Sequence, residues 1–127
     1  MATLIHLDTH VVAWLFAGSV ASLSETSRQA IEAHELRISP MVLLELGYLY
    51  EIGRTAEPGE VVVERLGAEI GLQFCELPFP AVAQRALGQR WTRDPFDRVI
   101  VSQALLAEVP LLTRDRTIHA NYPAALW

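Results

Sequence analysis

The chain has 127 residues, 51% of them hydrophobic, and one cysteine, Cys75, with nothing to pair with. That length predicts one domain over residues 1–127 with a core that needs no disulfide or structural metal, and the apolar share excludes intrinsic disorder. A formal net charge of −5 excludes broad adhesion to nucleic acid, and because all ten basic residues are arginine, no lysine amine is available for chemistry.

The N-terminus is apolar but lacks the charged region of an export signal. No Lys or Arg precedes Arg28, and His6, Asp8 and His10 interrupt the apolar stretch. The longest near-apolar run, Met41 to Tyr50, carries Glu45 and is about half a bilayer span. A cytoplasmic protein without a membrane segment is expected.

Leu4 to Leu7 reads as a strand, and Val11, Val12, Leu15 and Phe16 are spaced as on a helix beginning at Thr9. Ser22 with Glu25 fits a capping box for a helix ending near Ala33 or Glu35. Leu36 to Ser39 predicts a short strand. Ser39-Pro40 opens a helix to Ile52 that is apolar nearly all round and is therefore expected to be buried. Gly53 stops it, and Thr55 to Gly59 is a turn. An amphipathic helix follows over Glu60 to Ile70, with Gly71 as its C-cap, then a strand over Leu72 to Leu77. Pro80 opens a helix to about Arg90, and Asp94-Pro95 opens another to about Glu108. Val109 to Thr113 is the last strand, and Asp115 begins a final turn or short helix. Short apolar strands alternating with helices predict a parallel sheet of four or five strands in a three-layer α/β/α arrangement.

In such a sheet, ligands gather at the carboxyl ends of the strands. Asp8 follows the first strand, Asp115 follows the last, and Asp94 and Asp97 open the helix between. Helix capping accounts for an aspartate at each of these places equally well. Glu45 has no such explanation: in helical projection it emerges among Met41, Val42, Tyr48 and Leu49. A carboxylate there needs a partner, either an arginine or a divalent cation shared with other acids. Oxygen ligands in that number suit Mg²⁺ or Mn²⁺, and no Cys/His spacing for zinc is present. Arg93, Arg98, Arg114 and Arg116 flank the acids and are candidate phosphate contacts, with surface charge as the alternative for each. His6 is expected to be a packed core histidine. Trp14, Phe16, Tyr48 and Tyr50 are expected in the core or on a partner surface rather than as platforms for bases. Receiver-type phosphorelay domains resemble this pattern of acids but carry a pocket lysine, which this chain lacks.

Leu7-Asp8-Thr9-His10, Glu45 on the helix after Ile38-Ser39-Pro40, Asp94-Pro95-Phe96-Asp97-Arg98 and Leu111-Leu112-Thr113-Arg114-Asp115 resemble, in order and spacing, the motifs of PIN-domain proteins. In particular, they are similar to the VapC-type ribonuclease toxins of toxin–antitoxin pairs. The resemblance implies a PIN-like domain, an acidic pocket for Mg²⁺ or Mn²⁺, and metal-dependent hydrolysis of RNA. Carried over by motif, the metal-site and catalytic acids are Asp8, Glu45, Asp97 and Asp115, with Thr113, Thr9 and Asp94 in support. It also implies a small antitoxin partner and a homodimer, and the excess of apolar residues on the Val11 to Phe16 and Met41 to Ile52 helices points to an interface as well. A non-catalytic PIN-like domain that binds RNA or protein is the alternative. Two aspartates stand near the third acidic position. With Pro95 as first helical residue, Asp94 is the N-cap and Asp97 shares the inward stripe of Ile100, Val101 and Ala104, which assigns Asp97 to the metal.

Overall fold

The computed structural model describes residues 3–127; the first two residues of the expected domain lie outside the described residues. Five strands, β1 (Thr3–Leu7), β2 (His34–Ile38), β3 (Gln73–Phe74), β4 (Leu111–Leu112) and β5 (Ala125–Leu126), form one all-parallel sheet in the order β3-β2-β1-β4-β5. Seven helices connect and flank them: α1 (Thr9–Ala17), α2 (Glu25–Ala33), α3 (Pro40–Glu51), α4 (Gly59–Ile70), α5 (Phe79–Ala86), α6 (Pro95–Ala107) and α7 (Arg116–Asn121). None is long and apolar enough to cross a membrane.

The strand order has a direct consequence for the site. From β1 the chain winds outward through β2 to β3, then returns past β1 to β4. Right-handed crossovers put the first two connections on one face and the return on the other. Accordingly α1, α3 and α4 pack together, and α5 packs on α6. Between β1 and β4 the chain leaves the sheet toward opposite sides, which opens a crevice at their carboxyl ends. Beneath it lies the core of Ile5, Leu7, Ile38, Leu46, Ile100, Leu111 and Leu112, all fully enclosed. Burial of each such side chain stabilises by about 1.5 to 3 kcal/mol.

Helix boundaries follow local chemistry. The Ser39 hydroxyl accepts from the Met41 N–H at 3.1 Å ahead of Pro40, and Gly71 adopts φ 74° to close α4, a conformation that costs glycine nothing. His6 is a core histidine as expected. It is 2% exposed, its Nδ1 has no partner, and burial, helped by the Arg37 charge, lowers its pKa to about 4.

Several expectations need correction. The cap of α2 is Ser24, whose hydroxyl accepts from the Ser27 N–H at 3.0 Å, while Ser22 ends a short 3₁₀ turn. β2 begins at His34, two residues before the expected start, because Leu4 and Thr3 pair with Glu35 and His34. β3 is two residues long instead of six: it is an edge strand, and β2 runs alongside it only at Arg37 and Ile38. β4 is trimmed to Leu111–Leu112 behind Pro110, which has no N–H to offer a ladder. α5 ends at Ala86, since Leu87 is exposed and Gly88 follows, leaving the last turn without core contact. β5 lies where no strand was assigned, although the expected sheet of four or five strands leaves room for it. α3 is not buried all round, for only Val42 and Leu46 are enclosed, whereas Leu44, Tyr48 and Tyr50, and Ile52 just after it, face outward.

Candidate metal centre

Four separate parts of the chain bring acids to the crevice. Asp8 follows β1, Glu45 lies on α3, Asp94 and Asp97 open α6, and Asp115 follows β4. Their side chains line one pocket of about 360 Å³, together with His10, Trp14 and Arg114.

Asp8 is at the centre and is buried. Its Oδ1 accepts from the Thr9 N–H at 2.8 Å, the cap of α1, and its Oδ2 accepts from the Thr113 hydroxyl at 2.6 Å. The Thr113 hydroxyl in turn accepts from the Asp115 N–H at 3.1 Å, tying the end of β4 to the end of β1. Burial raises the Asp8 pKa, and the bonds from Thr113 and Thr9 offset part of that rise. Thr9, fully buried, reaches the other way with its hydroxyl and donates to Oε1 of Glu45. Glu45 is half-buried. Burial raises its pKa too, opposed by the Thr9 bond and reinforced by the charges of Asp8 and Asp94.

Asp97 feels the crowding most. Burial first, then the charges of Asp94, Asp8, Asp115 and Glu45, push its pKa up to about 7. Unlike Asp8 and Glu45, Asp97 has no threonine hydroxyl donating to it among the described residues. Asp94 and Asp115 are less enclosed and serve as caps: Asp94 Oδ1 accepts from the Phe96 N–H at 2.8 Å, and Asp115 Oδ1 from the N–H groups of Thr117 and Ile118 at 2.8 and 3.0 Å. Capping and pocket lining are thus compatible for both.

Among the described residues, no three His, Cys, Asp or Glu side chains stand close enough together to hold an ion as they are oriented. Asp8, Glu45, Asp94 and Asp115 are each turned onto a hydroxyl or an N–H. The donor set itself is all oxygen and strongly negative, which fits Mg²⁺ or Mn²⁺. Of the flanking arginines only Arg114 lines the pocket. The Arg98 guanidinium donates to the Thr92 carbonyl at 2.8 Å, and Arg93 and Arg116 are exposed outside it.

Of the two remaining wall residues, His10 belongs to the Leu7-Asp8-Thr9-His10 motif and stands nearest the acids in sequence, whereas Trp14 is expected in the core or on a partner surface. Trp14 faces the pocket with its indole 6.1 Å from the His10 ring and 5.8 Å from that of Trp127. Their position on the first turns of the helix that Asp8 caps was the available signal.

A family model described as PIN domain matches residues 5–122. Ribonuclease VapC22 of Mycobacterium tuberculosis is 30% identical over 131 residues, covering 98% of this chain and 99% of its own length. A toxin–antitoxin complex from Klebsiella pneumoniae has a chain that superposes with a TM-score of 0.64 at 20% identity, over 97% of this chain and 96% of that one. VapBC2 from Rickettsia felis, bound to a DNA fragment from its promoter, superposes with a TM-score of 0.65 at 15% identity, over 98% and 96%.

Proposed function

The chain belongs to the PIN domain family, within which it is similar to a VapC ribonuclease over nearly its whole length, and from that membership we propose that it is a Mg²⁺- or Mn²⁺-dependent endoribonuclease, the toxin of a toxin–antitoxin pair. The observation that carries the reading is the protonation conflict at the crevice. Five carboxylates line one pocket with a single arginine, and one of them is driven to a pKa of about 7 by burial and by the rest. A divalent cation removes that conflict.

Asp8, Glu45, Asp97 and Asp115 would hold the ion. When bound, it supplies charge neutralisation at the scissile phosphate and an acidified water. Thr113 and Thr9 donate hydroxyl protons to Asp8 and Glu45, which restricts the torsions of both carboxylates. Asp94 caps α6 and adds negative charge beside Asp97. Arg114 is the one guanidinium at hand for a phosphate oxygen in the pocket; Arg93, Arg98 and Arg116 would meet the strand only farther out.

A small cognate antitoxin is the proposed partner, supported by the folds solved as toxin–antitoxin complexes. The outward Leu44, Tyr48 and Tyr50 of α3 support a homodimer, and a cytoplasmic RNA is the expected substrate. The test is to incubate the purified chain with total RNA, with Mn²⁺ or with chelator, and to map new 5′ ends. Mn²⁺-dependent ends that vanish in Asp97→Asn are expected; binding of RNA without any such cleavage would favour the non-catalytic alternative.

A further inference from the structure

The acidic pocket is not the end of the crevice. His10 and Trp14, which wall it on one side, also wall a second cavity of about 350 Å³. Beyond them this cavity is bounded by Phe16 on α1, Leu49 on α3, and Arg54 and Thr55 of the turn that follows α3. Gly53, at φ 76°, bends the chain sharply enough to bring that turn back over α1.

Its chemistry differs from that of its neighbour. The acidic pocket presents carboxylates, whereas this cavity presents an indole, a phenyl ring, an imidazole, an aliphatic floor, a guanidinium and the hydroxyls of Ser19 and Thr55. The indole is held between Trp127 and His10, so it is a preformed wall. The Phe16 ring is backed by the Arg65 guanidinium, 4.9 Å from its centroid. Flat apolar walls with donors are the complement of a nucleobase, which has two π-faces and acceptor atoms on its edge. A wholly apolar peptide side chain would leave the guanidinium without use. Position favours the same occupant, because the base, ribose and phosphate of a nucleotide are covalently joined. A strand with its phosphate among Asp8, Asp97 and Asp115 has a base within reach of a cavity sharing two wall residues with that pocket.

We propose that this second cavity receives, extruded from its strand, the base of a nucleotide adjoining the cleaved bond, with Trp14 as stacking surface and Arg54 as edge donor. The inference rests on the ribonuclease reading above. It makes Trp14 and Arg54 specificity-determining residues.

The test uses an oligoribonucleotide spanning a mapped cleavage site, with an abasic residue on one side or the other of the cut bond. For the parent protein, removal of one of the two bases should lower kcat/KM at least tenfold, equivalent to about 1.4 kcal/mol. In Trp14→Leu, and in Arg54→Gln on the exposed turn, that penalty should shrink to less than threefold. Independently of cleavage, 2-aminopurine at the same nucleotide of a strand bound in chelator, where the metal-dependent cut cannot occur, should lose fluorescence on binding the parent and keep it with Trp14→Leu. Cleavage that tolerates either abasic residue within twofold would overturn the base cavity and leave the ribonuclease reading standing. Fluorescence loss without cleavage of any RNA would uphold the cavity and overturn the activity. Variants that cleave with an undiminished abasic penalty but are inhibited less by a co-purified protein would assign the cavity to a protein partner and overturn the proposal.

Discussion

Replacing Asp97 with asparagine should make the metal-free protein more stable at alkaline pH while abolishing its Mn²⁺-dependent chemistry. The Asp97 carboxyl is raised from an ordinary 3.8 to about 7 by burial and by four neighbouring acids. A carboxyl whose pKa is higher in the folded than in the unfolded chain binds its proton more tightly when folded. Its contribution to stability is therefore whole below about pH 4 and is lost as the pH climbs through about 7. Three pK units would be worth about 4 kcal/mol for an enclosed group. Asp97 is half-buried, and solvent screening cuts this to about 1 to 2 kcal/mol. An asparagine side chain carries no charge in either state, so the Asp97→Asn variant should melt roughly 3 to 10 °C above the parent at pH 8 in chelator, and close to it at pH 4. Added Mn²⁺ should raise the parent's Tm at pH 8 and leave that of Asp97→Asn nearly unmoved. Thermal melts followed by circular dichroism at pH 4, 6 and 8, with EDTA or Mn²⁺, measure all of this. An asparagine variant that loses as much stability as the parent between pH 4 and 8 would refute the crowding of charge at Asp97.

Other substitutions separate cap, orientation and packing. Asp94→Ala removes the acceptor of the Phe96 N–H and should cost about 0.5 to 2 kcal/mol in urea denaturation, with cleavage reduced far less than in Asp97→Asn; an unchanged midpoint would mean that α6 does not depend on its cap. Thr113→Val keeps the shape but strips Asp8 of its 2.6 Å donor. It should cost about 1.5 to 3 kcal/mol and weaken Mn²⁺ binding in calorimetry roughly 10- to 100-fold, and undiminished affinity would refute the orienting role of Thr113. Gly59→Ala would place a Cβ 2.9 Å from the Leu43 carbonyl oxygen and 3.2 Å from the Leu46 Cβ. Backbone cannot yield there as a side chain does, so α4 must move away from α3 at a cost of about 1 to 3 kcal/mol; an alanine variant with the parent's denaturation midpoint would contradict that close approach.

Much of this was legible from local chemistry. Asp8, Asp94 and Asp115 stand at helix starts that their own side chains cap, and a cap is a relation between residues only a few positions apart. The same holds for Pro40 and Pro95 at helix openings and for Gly71 at a helix end. The inward stripe of Ile100, Val101 and Ala104 turned Asp97 toward the pocket as helical periodicity requires. Glu45 stood out because an acid among apolar neighbours needs a partner wherever it ends up.

What local spacing could not express was pairing between distant segments. The lengths of β3 and β4 depend on how far their neighbours run alongside, and β5 exists only because Leu111 and Leu112 offer it an open edge. The outer face of α3 reads as core from composition, yet it points away from the sheet because Val42 and Leu46 already fill the inner side. The bond from Thr113 to Asp8 spans 105 residues of sequence, and that from Thr9 to Glu45 spans 36. Periodicity determined which residues face inward on amphipathic helices such as α4 and α6, since that follows from 3.6 residues per turn. Only the strand order, with β4 returning beside β1, decided that four such segments meet at one crevice, and only their meeting raises the Asp97 carboxyl to about 7.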